Sequence, residues 1–259
     1  MSLNINNKGI PIAMVMINDH KGSKVISLDE NEHSVASTSK EIILNDSKQR
    51  FQVVGDPKRE RDIIYITGRS GSGKSYFIKD YVNNYYKVVN KKRPIYLFSA
   101  LQEDSTIDQI KGLKRIKLDN EFLNDDEISI NDFAKSCVIF DDTDVIKSKD
   151  ILEKVNQLMN QMLETGRHHE ITCLITKHTP TNGRDTKLIL SESHQFIIFP
   201  NGLGNKSLKY LLDNYLGLDR TQVKKIKKLK SRWVCINRAT FPLTVVSEKE
   251  CFVLSNDDI

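Results

Sequence analysis

The eight residues Gly68-Arg69-Ser70-Gly71-Ser72-Gly73-Lys74-Ser75 satisfy the pattern GxxxxGK[ST]. No other stretch limits the fold as much, because this pattern works only where a strand ends and a helix begins. Both neighbours are legible. Ile63 to Thr67 is a short apolar run rich in β-branched residues, and Tyr76 to Tyr86 carries Phe77, Tyr81, Val82 and Tyr85 on one side at helical spacing. Glycines let the backbone turn tightly, so that several N–H groups face inward, and the helix N-terminus adds the positive end of a dipole. Gly68 to Tyr76 is therefore expected to cradle phosphates. Lys74 is expected to reach the β- and γ-phosphates, and the Ser75 hydroxyl to take one position on Mg²⁺.

From Asp62 onward, short apolar runs alternate with helical patterns: Pro94 to Ser99, Cys137 to Phe140, Ile171 to Thr176 and Gln195 to Phe199 read as strands, and Ile151 to Leu163 as an amphipathic helix. Uniformly apolar strands separated by helices indicate an α/β domain with a mainly parallel sheet covered on both faces. Cys137-Val138-Ile139-Phe140 ends in Asp141-Asp142. Read with the phosphate loop, this is a Walker B strand: Asp141 is a metal ligand, directly or through water, and Asp142 is the candidate base at a position where many such enzymes carry Glu. An intervening strand, Pro94 to Ser99, suits the RecA-like class of P-loop nucleoside triphosphatases. No NKxD guanine signature is present, which favours ATP with Mg²⁺.

Residues 1–60 read as a small β-rich segment, with strand candidates at Ile10 to Ile17, Lys24 to Leu28, Glu41 to Leu44 and Phe51 to Val54. Lys21-Gly22-Ser23 reads as a turn and Asp29 to Lys40 as a polar loop. Residues 61–259 are expected to form the ATPase domain, its polar stretch Gly112 to Asp132 unassigned. Two helices, Leu208 to Leu216 and Gln222 to Lys230, and two closing strands, Trp233 to Asn237 and Leu243 to Val246, end the chain. The four cysteines form no CxxC pair and lie in or beside apolar strands, the pattern of reduced thiols in a cytosol-like compartment. No apolar run approaches the ~20 residues of a membrane span, and the N-terminus lacks a signal-peptide core.

The net charge is +5, but Lys206 to Arg238 holds ten basic residues and two acidic ones. A basic end on a neutral body suits a polyanion; a solvated helix face is the other reading. At the tip of Ile171 to Lys177 stands His178, a candidate γ-phosphate sensor or a hydrogen-bonded loop histidine. Arg167 follows Gly166, which can terminate the long helix. It is expected at a corner near the nucleotide edge, either as an arginine finger into a neighbouring subunit or as a cation at the helix end.

Asp141-Asp142, an amphipathic helix, Gly166-Arg167-His168 and an apolar strand with a polar tip together resemble the poxvirus-type virion DNA-packaging ATPases, of the FtsK/HerA superfamily. The resemblance spans residues 60 to 250 and takes in Tyr210-Leu211-Leu212, Gly217-Leu218, the lysine-rich helix and Ser231-Arg232-Trp233. Where those proteins tend to have Gln, this chain has His178. The resemblance implies a ring of subunits that hydrolyses ATP to move double-stranded DNA into a capsid, with Lys224, Lys225, Lys227 and Lys228 on DNA phosphates, and a capsid protein as a further partner. It places the protein in the host cytoplasm, a viral factory or the virion. The alternatives are a small-molecule phosphotransferase, for which no arginine-rich lid is visible, and an ATP-binding assembly factor.

Overall fold

The computed structural model describes residues 1–5, 8–18, 20–29 and 39–254. Packing divides the chain into two units that do not follow chain order: Met1–Pro57 with His194–Ile259, and Lys58–Ser193. The helices and strands after residue 194 therefore group with the N-terminal segment, whereas chain order had suggested that they belong with the phosphate loop.

The first unit is β-rich. Its N-terminal strands are β1 (Ser2–Asn4), β2 (Ile10–Ile17), β3 (His20–Asp29), β4 (Glu41–Ile43) and β5 (Gln49–Val53). Four of them form an antiparallel sheet in the order β1-β3-β2-β5. The turn expected at Lys21-Gly22-Ser23 is not there. Met16 pairs with Lys21 and Ile17 with His20, so the chain reverses between Ile17 and His20, where Asn18 has φ 48°. Gly22 lies inside β3 because the backbone of β2 passes too close for a side chain: a Cβ would sit 2.4 Å from the Val15 carbonyl oxygen, beside a register shift between Met14 and Met16. Most of the polar loop expected at Asp29 to Lys40 lies outside the described residues.

The second unit, Lys58–Ser193, holds a five-stranded, wholly parallel sheet. Its strands are β6 (Ile63–Thr67), β7 (Ile95–Ser99), β8 (Leu113–Ile116), β9 (Cys137–Asp141) and β10 (Thr172–Lys177), in the order β6-β10-β9-β7-β8. Every residue of β6, β9 and β10 is buried, as strands covered on both faces must be. β8 falls within the unassigned stretch. It is a short edge strand whose Lys114 and Arg115 hide the pattern, and charge there suits an edge. Helix α1 (Lys74–Tyr81) continues through a π-helical turn, Val82–Tyr86, into α2 (Lys87–Val89). Further along lie α3 (Asn120–Asn124), α4 (Lys149–Thr165) and α5 (Arg184–Glu192). α4 begins at Ser148, whose hydroxyl accepts from Ile151 N–H, and buries Ile151, Val155, Leu158, Met159, Met162 and Leu163.

The remainder of the first unit follows: β11 (Gln195–Ile198), α6 (Asn205–Tyr210) with a π-helical turn Leu211–Tyr215, α7 (Arg220–Lys228), β12 (Val234–Asn237), β13 (Thr244–Ser247) and β14 (Glu250–Val253). These strands make an antiparallel run, β4-β14-β13-β12-β11. The pattern had suggested two closing strands; β14 is a third, and it buries Cys251, Phe252 and Val253. Cys137 and Cys173 lie in the second unit and Cys235 and Cys251 in the first, all four free and buried. Burial pushes the Cys173 thiol up to about 12. Among the described residues, no helix is long and apolar enough to cross a membrane.

Candidate functional site

A parallel sheet presents all its carboxyl ends along one edge, and ligands of such folds bind there. In this sheet, Thr67 is level with Lys177, and Ser99 with Asp141. The segments that leave that edge therefore converge: the loop after β6, Asp141-Asp142, the Leu101 to Asp108 segment and His178. The sequence expected three of the four.

The loop after β6 turns through Gly71 at φ 73° and Gly73 at φ 112°, conformations that side chains with a Cβ disfavour. Arg69, Ser70, Gly71 and Tyr76 are exposed, and Gly68, Ser72 and Ser75 are more enclosed. Lys74 is buried, with Nζ 3.0 Å from the Gly68 carbonyl oxygen, 3.3 Å from His178 Nδ1 and 3.9 Å from Asp142 Oδ1. His178 Nε2 lies 3.1 Å from the same carboxylate oxygen. An ammonium only donates and a carboxylate only accepts. The imidazole that bridges them therefore accepts a hydrogen bond from the Lys74 ammonium at Nδ1 and donates its Nε2–H to Asp142. Histidine at the strand tip thus reaches both the phosphate-loop lysine and the acidic strand end.

Thr176, which the sequence reading did not single out, ties the acidic strand to its neighbour. Its hydroxyl accepts from the Asp142 N–H at 2.9 Å and donates to Asp141 Oδ1 at 2.9 Å. That fixes Asp141 while Asp142 turns outward at φ 47°, an aspartate-tolerated left-handed conformation. Burial, reinforced by the neighbouring Asp142 carboxylate and by Asp104, pushes the Asp141 carboxyl up to about 6; the Thr176 hydrogen bond and Lys74 oppose the rise. Asp104 is the second residue not foreseen: its Oδ2 accepts from the Ser75 hydroxyl at 3.2 Å. No signal in the sequence marks Asp104 or Thr176, since both act across strands far apart in the chain.

Ser75 Oγ and the Asp141 carboxylate are hard oxygen donors. Among the described residues, no group of three or more His, Cys, Asp or Glu side chains is arranged to hold a metal. Oxygen donors of this kind suit Mg²⁺, which takes one or two carboxylates and fills its sphere with water and phosphate oxygens.

Arg167 is elsewhere. α4 leaves the carboxyl end of β9 and returns to the start of β10, so residues just after it stand at the amino edge. The six residues of β10 separate that edge from the phosphate loop, a distance of ~20 Å at ~3.3 Å per residue. The expectation of a corner near the nucleotide edge is therefore corrected: a helix that links parallel strands must carry its C-terminus back to the opposite side. Arg167 pairs there with Glu60, Nε to Oε2 at 2.6 Å, both side chains exposed. Nor is it the cation that closes α4. That role falls to buried Arg61, whose guanidinium donates to the Met162 and Leu163 carbonyls, the latter at 2.6 Å. Gly166 leaves the necessary room: a Cβ on it would stand 2.2 Å from Met162 O and 2.8 Å from Arg61 Nη1.

On α7, Arg220, Lys224, Lys227 and Lys228 recur at helical spacing and are exposed. Lys225 departs from the expected set. It is half-buried, and its ammonium lies 4.3 Å from the centre of the Phe252 ring.

No family model matches the sequence. Over 249 residues the chain is 33% identical to the uncharacterized protein V3 of Sputnik virophage, which takes in 95% of this chain and 96% of that protein. Solved structures of similar fold include the following two. One is B204, the DNA-packaging ATPase of Sulfolobus turreted icosahedral virus, at 19% identity and a TM-score of 0.51, covering 73% of this chain and 98% of that one. The other is the genome packaging NTPase B204 of Sulfolobus turreted icosahedral virus 2 in complex with AMP, at 16% identity and a TM-score of 0.50, with the same coverage. These likenesses bear out the α/β fold of a P-loop nucleoside triphosphatase.

Proposed function

The chain belongs to the same family as protein V3 of Sputnik virophage, and from that premise we propose that it is an ATP-hydrolysing motor that moves double-stranded viral DNA into a capsid. The observation that carries this reading is the meeting of Lys74, Asp142 and His178 at one edge of the sheet. Inward N–H groups of Gly68 to Ser75 would bind phosphates, and Lys74 would meet the negative charge that gathers on the β- and γ-phosphates. Ser75 and Asp141 would hold Mg²⁺, which offsets phosphate charge. Asp142 orients and deprotonates the attacking water, and His178 holds that carboxylate against Lys74. Arg167, exposed and out of reach of its own site, is assigned to a neighbouring subunit of a ring, a role that subunit mixing tests. The similarity in fold to a DNA-packaging ATPase and the resemblance to the poxvirus-type enzymes supply the substrate, DNA. The exposed stripe Lys224, Lys227 and Lys228 gives a sequence-independent contact with phosphates.

The test is ATP hydrolysis by the full chain with and without duplex DNA over a salt series. Duplex DNA should stimulate turnover, and log affinity should fall with log salt by about 0.9 per phosphate contact. Lys74→Ala should abolish hydrolysis, and Lys224→Gln/Lys227→Gln/Lys228→Gln should weaken DNA binding alike for unrelated sequences. Hydrolysis indifferent to DNA, with transfer of phosphate to a nucleoside instead, would replace the motor by a phosphotransferase. Binding without hydrolysis would leave an assembly factor.

A further inference from the structure

We infer that Asp104 is a positioning residue of the nucleotide site, orienting the Ser75 hydroxyl so that its oxygen faces the metal; the inference rests on the nucleotide-site reading above. Ser75 Oγ donates to Asp104 Oδ2 at 3.2 Å. A hydroxyl has one proton and two lone pairs. When a carboxylate takes the proton, both lone pairs are left on the side away from it, free to meet a cation. A water partner would supply no such fixed direction, and a donor in place of the carboxylate would occupy a lone pair.

The carboxylate is held too firmly for a casual surface contact. Asp104 Oδ1 accepts from the N–H groups of Thr106 and Ile107, at 2.8 and 2.7 Å. Its own N–H donates to Asp108 Oδ2 at 2.7 Å. Arg115 of β8 then braces the segment, giving one nitrogen to Asp108 Oδ1 at 2.6 Å and another to the Leu101 carbonyl at 2.7 Å. Lys79 of α1 ties the same segment to the phosphate-loop helix through Gln109 Oε1 at 2.7 Å. One oxygen of Asp104 is thus committed to the segment's backbone and the other is aimed at Ser75. A segment with no recognisable motif would in this way set the direction of a motif residue on another element.

Asp104→Asn tests this, because Asn keeps the Oδ1 acceptor for Thr106 and Ile107 but turns a donor toward Ser75. Affinity for a fluorescent ATP analogue is measured by titration with and without Mg²⁺, in wild type, Asp104→Asn, Ser75→Ala and the double variant, with unfolding midpoints alongside. Asp104→Asn is expected to leave metal-free affinity unchanged and to cut the gain given by Mg²⁺ by about tenfold, the scale of one hydrogen bond to a charged group. In the Ser75→Ala background it should cut nothing further, since the group through which it acts is gone. Equal losses with and without Mg²⁺, an undiminished loss in the Ser75→Ala background, or no loss would each overturn the inference. A wild-type chain that binds no nucleotide would instead overturn the nucleotide site itself.

Discussion

His178 Nε2 lies 3.1 Å from Asp142 Oδ1, so the tips of β10 and β9 share one hydrogen bond across the edge where phosphates are expected. With Nδ1 turned to Lys74, the ring joins the candidate base to the candidate phosphate ligand. His178→Ala is expected to bind ATP with wild-type affinity but to hydrolyse it about 10²-fold more slowly, the lower range for loss of acid–base assistance. His178→Gln, able to donate and accept, should recover part of the rate. Single-turnover hydrolysis beside a separate binding titration reads both, and wild-type turnover in the alanine variant would remove His178 from the site.

Asp141 makes stability depend on pH in a predictable direction. Its carboxyl ionises near 3.8 when unperturbed and at about 6 in the fold. A raised folded value means that the charged form is disfavoured by folding, so the penalty is absent below about pH 4 and grows between about pH 4 and pH 6. Above pH 6 it is complete, at most about 3 kcal/mol. Asp141→Asn, neutral throughout, should gain stability relative to wild type over that window in the absence of Mg²⁺ and nucleotide. Chemical denaturation at several pH values measures this; a stability difference that stays constant with pH would mean that the carboxyl ionises as easily folded as unfolded.

Arg61 and Gly166 should behave as one structural pair. Removing the Arg61 guanidinium takes the side-chain donor from the buried Leu163 carbonyl, whereas Met162 O keeps the Gly166 N–H at 3.0 Å. Arg61→Ala is expected to destabilise by about 2 kcal/mol. Gly166→Ala should also lower the unfolding midpoint, because its Cβ would press on Met162 O and Arg61. A midpoint unchanged in both variants would show that α4 closes without them.

Arg167 separates stability from catalysis. Its pair with Glu60 is exposed, and such pairs contribute little, so Arg167→Ala should keep an unfolding midpoint close to that of wild type. It should bind ATP normally and hydrolyse it poorly. Mixing it with Lys74→Ala subunits should restore some activity, because an intact Lys74 site then meets an intact Arg167 from a neighbour. Mixed assemblies that exchange subunits yet regain nothing would leave Arg167 as half of a surface ion pair.

The elements most legible in the sequence were those whose side chains repeat a simple demand. β6, β9 and β10 are buried on both faces and so are mainly apolar up to their tips, and α4 shows its stripe from Ile151 to Leu163. The phosphate loop was legible because backbone geometry dictates its glycines. β8 and β14 were missed, since a four-residue edge strand with Lys114 and Arg115, or one opening on Glu250, offers too short a pattern. The turn at Gly22 was misread because glycine marks close approach of a neighbouring strand as well as reversal. Arg167 was misplaced because residue order gives proximity along the chain and not which edge of a sheet a connection reaches. Asp104, Thr176 and Arg61 each act on partners remote in sequence, and nothing local distinguishes them from other polar residues.

The distribution of the thiols has a practical consequence. Cys137 and Cys173 lie buried in one unit, Cys235 and Cys251 in the other, and none can meet a reagent without local or global opening. The natural chain therefore carries a pair of reporters in each half. Timed alkylation followed by peptide mapping would clock the breathing of the nucleotide-binding half and of the β-rich half independently, with no label introduced and no residue replaced.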